Sequence, residues 1–263
     1  MNSVLDISVY KLALGYIVFL IPIFWLYYYK TNLIKDVVIG ALRMTIQLAF
    51  VAFYFSFIFK LNNTFVNITW VAVMVLVSVF TTIKRSNLNW RVFVFPVFTA
   101  IVVSLILIDA FFLGFVIGLD NVFDARYFIP ISGMILGNSM NHNIIGLNAY
   151  FDKLQTNNQL YYFVLVNTNN QKNALLPYIR DAIKKALNPL IATMTVMGLI
   201  SLPGMMTGQI LGGSDPSTAV KYQILILIAI FVSSNMNLVL SLIFSNRIIF
   251  DEFGKLKNSI KAK

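Results

Sequence analysis

Runs of mostly apolar residues recur along the chain, separated by short polar turns. A helix rises about 1.5 Å per residue, so about 20 such residues are needed to cross a ~30 Å hydrocarbon core. Seven stretches meet that requirement: Leu12–Tyr29, Val37–Phe59, Val66–Ile83, Val92–Leu113, Tyr127–Tyr150, Pro189–Leu211 and Tyr222–Phe244. The fifth and sixth are the least hydrophobic, which makes six spans the main alternative count. The pattern predicts an all-α, polytopic membrane helix bundle of about seven transmembrane helices, a single domain over residues 1–263. Phe151–Asn188 is its one long loop, and residues 245–263 form a tail.

Composition supports that reading. Of 263 residues, 59% are hydrophobic and only 11% charged, where soluble domains carry about 25% charge because their surfaces face water. A soluble enzyme, a disordered chain and a nucleic-acid-binding domain are all poor fits, despite a net charge of +10. The charge has another cause. Counted over alternate loops, Lys and Arg number four on one side and fifteen on the other, with Arg43 inside the second span. Cytoplasmic loops carry the excess, so the N-terminus is expected outside and the C-terminus in the cytoplasm, and no nucleic acid partner is needed to explain the basicity. Met1–Lys11 lacks the basic flank and cleavage site of a signal peptide, so the first apolar run is expected to be a retained helix.

Candidate chemistry is narrow. There is no cysteine and one histidine, His142, so thiolate sites and a multi-histidine zinc site are excluded within one chain. No G-x-x-x-x-G-K-[ST] loop occurs, so nucleotide phosphates are not held in the P-loop manner. Within the long loop, Leu175, Ile179, Ile183, Ala186 and Leu187 recur at helical spacing, with Arg180, Asp181, Lys184 and Lys185 opposite. Pro177 suits the first turn of such a helix. This amphipathic cytoplasmic helix either lies in the lipid interface with its lysines at anionic headgroups or docks a cytoplasmic partner.

Polar residues inside a span are costly and need a reason. In the fifth span Asn138, Asn141 and His142 share a face, with Met134 one turn before Asn138. Gly133 and Gly137 form a G-x-x-x-G pair that lets another helix approach closely. The sixth span carries Gly204, Gly208 and Gly212 four apart, and Pro203 should break or kink it and free carbonyls. Met205, Met206 and Gln209 flank that break. With the fifth helix running inwards and the sixth outwards, Met134 and Met205 both lie about 10 Å below the outer boundary. The two segments are therefore expected to meet. The plainer reading is helix packing, with glycines for close contact and methionines as gap fillers. The sharper one is a translocation path in which Met, Asn, Gln and His act as weak, transient ligands for a passing metal ion. Asp109 lies near the outer end of the fourth span and is expected to meet water.

The segments Ile129-Pro-Ile-Ser-Gly-Met-Ile-Leu-Gly-Asn-Ser-Met140 and Leu202-Pro-Gly-Met-Met-Thr-Gly-Gln-Ile-Leu211 resemble the two signature stretches of the FetB/YbbM family of ABC-transporter permeases, and Asp215-Pro216 and Ala219-Val-Lys-Tyr-Gln-Ile224 continue the match. That family is linked in bacteria to iron export and in plants to aluminium tolerance. The resemblance implies an ABC permease that pairs with itself, sits in the cell membrane and works with two copies of a separate cytoplasmic ATPase. ATP and magnesium would then be bound by the partner, with no cofactor on this chain. It also implies that the helix bearing Leu175, Ile179, Arg180, Ile183 and Lys184 is the ATPase-coupling element. Iron is the favoured cargo; a non-metal solute such as a sugar nucleotide, or an ion-driven secondary carrier, is the alternative. An integral-membrane hydrolase would need clustered acids and histidines that a single His and a single Glu cannot supply. If the charge bias sets topology, a fluorescent protein fused to the C-terminus will fluoresce, whereas alkaline phosphatase fused there will be inactive.

Overall fold

The computed structural model describes residues 7–257. The expected signal-free start is therefore covered only from Ile7, and Lys261 and Lys263 of the tail lie outside the described residues. Two compact units emerge: the described residues up to Leu61 with Leu211–Gly213, and Asn62–Ile210 with the described residues from Ser214 onward.

In the first unit the expected first span is one apolar run, α1 (Val9–Gly15), a 3₁₀ turn (Tyr16–Phe19) and α2 (Leu20–Tyr28). Ser8 caps α1 by accepting from the Lys11 amide. Lys30 and Asn32 then take left-handed backbone conformations, at φ 50° and 57°, and the chain turns into α3 (Ile34–Leu61). The Tyr16 hydroxyl bonds Thr45 of α3. Most apolar side chains of these helices are exposed, as suits surfaces facing lipid rather than water.

The second unit contains α4 (Thr64–Arg85), α5 (Trp90–Asp109) with a π-helical turn at Ala110–Val116, α6 (Ala125–Thr156), α7 (Asn158–Thr168), α8 (Gln171–Val196), α9 (Gly204–Leu211, here to Ile210) and α10 (Pro216–Ile249). Short polar side chains set the starts. Asn63, Asn89, Asp124, Asn170 and Asp215 each accept from the free amides of the first turn, satisfying donors that have no intrahelical partner. Pro216 opens α10 where its missing N–H costs nothing.

α6 is the hub. It packs against α4, α5, α7, α8 and α10, while α10 also lies along α5. Gly146 makes the α6–α10 contact close: a Cβ there would sit 2.5 Å from Leu238 Cδ1, and Leu238 is fully buried.

Among the described residues, five apolar helical runs are long enough to cross a membrane: Val9–Tyr28, Ile34–Leu61, Thr64–Arg85, Trp90–Val116 and Pro216–Ile249. The expected fifth span lies within α6, whose 32 residues give ample length but whose many polar positions face protein. The expected sixth span, Pro189–Leu211, is not one helix. α8 ends at Val196, residues 197–203 are non-helical, and α9 is a separate piece of eight residues. Pro203 alone does not explain so early an ending. Gly198 adopts φ +86°, a left-handed conformation that stops a helix, and Leu202 before the proline is held out of the helical region. The coupling segment differs too: α8 starts at Gln171 and runs unbroken through Pro177 and Pro189, so Pro177 sits well inside the helix rather than in its first turn. The tail expected from residue 245 is still helix to Ile249, after which the Tyr161 hydroxyl donates to the Gly254 carbonyl at 2.7 Å.

Enlarging Gly146 tests the α6–α10 contact. Gly146→Val is expected to cost about 1–3 kcal/mol through overpacking, read as a lower Tm in detergent, whereas Gly137→Ala, which meets no atom within 4 Å, should not lower it.

Candidate translocation and coupling site

Between α6 and α10 runs a buried seam of small and amide side chains. Asn143 and Asn237 are fully buried, and Asn143 Nδ2 donates to Asn237 Oδ1 at 3.2 Å and to Ser241 Oγ at 3.1 Å. The Tyr150 hydroxyl donates to Asn246 Oδ1 at 2.7 Å a little further on. Buried amides in a lipid-embedded bundle must bond to protein or trapped water. The seam nevertheless keeps spare capacity: Asn143 Oδ1, Asn237 Nδ2 and the hydroxyls of Ser233, Ser234 and Ser245 have no partner.

None of these seam residues was among the sequence-derived candidates. A signal existed, because Ser233, Asn237, Ser241 and Ser245 recur every four residues inside an otherwise apolar span.

The proposed path residues separate into two places. On α6, His142 is buried and its Nδ1 lies 2.8 Å from the Ala186 carbonyl of α8. A carbonyl can only accept, so that nitrogen carries a proton. Asn138 is half-buried and donates to the Met134 carbonyl of its own helix at 2.8 Å, whereas Asn141 is exposed. Met205 and Gln209 of α9 lie beside the start of the same helix. They line a pocket of about 240 Å³ with Arg126, Tyr127, Pro130 and Ile131 at the start of α6 and Thr218 and Tyr222 of α10. Gln209 Oε1 is buried there without a partner. Met206 is half-buried and does not line that pocket.

The glycine stripes serve less packing within the chain than their spacing suggests. Only Gly133 approaches another helix, with its Cβ position 3.0 Å from Met74 Cε of α4. A Cβ at Gly137, Gly204 or Gly208 would meet nothing within 4 Å, so none of these holds helices together in the chain. Gly212 lies past α9 and is exposed.

The coupling face is also redistributed. Leu175, Ala186 and Leu187 are buried, and Ile179 and Ile183 half-buried. α8 packs on α6 and α7. The apolar face is thus largely consumed inside the molecule rather than left for lipid. What remains free is the face carrying Leu176, Arg180 and Lys184, all exposed. Asp181 joins α8 to the end of α6, 3.1 Å from Lys185 Nζ and 3.4 Å from Lys153 Nζ. These ammonium groups, Lys185 foremost, hold its carboxyl below the usual carboxylate range.

Asp109 was expected to meet water and does not. It is 4% exposed and accepts from Ser132 Oγ of α6 at 2.6 Å, because α6 covers that end of α5. Among the described residues no three His, Asp or Glu side chains converge as a metal site.

An all-α bundle with lipid-facing apolar helices and an amide-lined interior defines a multi-pass membrane protein. The chain belongs to the family described as Uncharacterised protein family (UPF0014), which it matches over residues 9–250. It is 30% identical over 254 residues to the UPF0014 membrane protein YjkA of Bacillus subtilis (strain 168), covering 95% of this chain and 98% of that protein. The Probable iron export permease protein FetB of Escherichia coli (strain K12) is 30% identical over 237 residues, 88% of each chain. The Protein ALUMINUM SENSITIVE 3 of Arabidopsis thaliana is 30% identical over 220 residues, 82% of this chain and 78% of that one. No solved structure matches the chain.

The Asp181 cluster gives a pH test. A carboxyl whose pKa is lowered by folding stabilises the fold above its unfolded value of 3.8 and loses that contribution as pH falls through the folded value. Wild type should melt above Asp181→Asn near pH 7, and the gap should close below about pH 4.

Proposed function

We propose that this chain is the permease subunit of an ABC transporter that exports a metal ion, iron foremost, with ATP and magnesium bound by a separate cytoplasmic ATPase. The permease works as a homodimer in the cell membrane, crossing it seven times with the N-terminus outside. The relative named as a probable iron export permease supports the cargo.

The observation that carries the mechanism is the continuity of α8. Its exposed basic face, Arg180 and Lys184, and its bond from Ala186 to His142 lie on one unbroken helix that ends at Val196. ATPase closure pressing on that face displaces α8, and the His142 contact carries the displacement to α6. The nucleotide thereby biases two states of the bundle. Cargo passes by Asn138 and His142 on α6 and by Met205 and Gln209 on α9, soft and amide donors that bind loosely enough to release.

Arg180→Glu with Lys184→Glu should reduce recovery of the ATPase on an affinity-tagged permease about tenfold, equivalent to ~1.4 kcal/mol. Deleting the gene should raise total cell iron under iron excess. Unchanged contents of every metal would remove the export reading and leave the ABC reading standing, whereas unaltered ATPase recovery in the double variant would remove α8 as the coupling element.

A further inference from the structure

The path just described makes no use of Asp109. This carboxylate is the last residue of α5 before the π-helical turn, and such turns are frequent at functional positions. Ser132 satisfies its Oδ2, while Oδ1 is buried with no partner at all. An acid left half-satisfied inside a membrane-spanning helix is costly and calls for a function.

Asp109 stands on the wall of a groove of about 500 Å³ between α4, α5 and the start of α6. The remaining wall is hydrocarbon and aromatic, including Val71, Val75, Leu105 and Phe128. An apolar hollow of that size with a single convergent polar group has the makeup of a small-molecule site. A bare metal ion does not suit it, since a hard cation wants about six oxygen ligands and no second carboxylate or histidine lines the groove. An acyl chain alone would fill the volume but leave Oδ1 unpaired.

We propose that this groove binds an amphiphile with a primary ammonium head, the N–H of the head donating to Asp109 Oδ1 and the hydrocarbon body lying along α4 and α5. Opposite charges attract far more strongly in this low-dielectric wall than in water, so the carboxylate selects a cation, while Ser132 fixes its orientation. Two sources offer the same chemistry, the ethanolamine headgroup of a phospholipid and a free alkylamine. The proposal stands apart from the transport reading.

The test uses the full chain in phosphatidylcholine nanodiscs, whose quaternary heads have no N–H, titrated with octylammonium and with 1-octanol against empty discs. Wild type should bind octylammonium saturably and at least about tenfold more tightly than 1-octanol, a difference of ~1.4 kcal/mol. Asp109→Asn, close in size, should bring the two probes to parity. Ala72→Phe, on the exposed part of the groove wall, should abolish saturable binding of both without depending on the acid, which guards against a folding failure of the first variant. Discs containing phosphatidylethanolamine that weaken octylammonium binding identify the lipid as the occupant, and discs that leave it unchanged identify a free amine. Equal binding of the two probes to wild type, a preference that survives Asp109→Asn, or saturable octylammonium binding in Ala72→Phe would overturn the proposal.

Discussion

The governing constraint is that hydrocarbon offers no hydrogen bonds. Amides and hydroxyls carried into the bundle have to find their partners within the protein, and this decides which helix stands in the middle. α6 brings Ser132, His142, Asn143 and Tyr150, and three helices answer them: α5 through Asp109, α8 through Ala186, and α10 through Asn237, Ser241 and Asn246. Placed at the lipid boundary α6 would be intolerable, but surrounded by its neighbours it is the centre of the unit. Gly146 lets α10 approach near enough for the amide contacts to form.

The same constraint links stability to mechanism. Beside the apolar packing of α8, its polar bonds to α6 are few, a buried imidazole-to-carbonyl contact and an ion pair network at Asp181. Directional contacts of this sort have discrete alternatives, whereas hydrophobic packing resists change everywhere at once. The coupling proposed for α8 would draw on these directional contacts rather than on the apolar core formed by α4, α5 and α10. Between α6 and α10, amide and hydroxyl atoms are left without partners.

Much of the fold was legible because apolar length and charge asymmetry act locally. The spans over α3, α4, α5 and α10 could be read from hydropathy, and Asn63, Asn89 and Asp215 sit where caps belong. What escaped depended on neighbours. The α8 segment was expected as a short surface helix followed by a span, since Pro177 and Asn188-Pro189 look like boundaries; packing against α6 and α7 overrides both prolines. Helical spacing correctly marked Leu175 and Leu187 as an apolar face but could not say that the face was already occupied. Asp109 was assigned to water by its position near a helix end, and only the proximity of Ser132, 23 residues further along, shows otherwise. Depth along the two segments brought α9 beside the start of the fifth span, at Pro130 and Ile131, while the particular residues that share that pocket depend on direction around each helix.

The two prolines inside α8 carry one more consequence. Each lacks the N–H that would have bonded the carbonyl four residues before it, so Asn173 and Lys185 lose their usual intrahelical donors. α8 is therefore a rod with two soft joints, and the stretch between them is the stiff piece that bears Arg180, Asp181 and Lys184. Under the proposed coupling, a push delivered there would pivot that middle piece about its ends before moving the helix as a whole. The second joint lies beside the carbonyl that His142 grips, so under the proposed coupling α6 would receive the stroke at a hinge, where a small angular change is turned into sideways travel.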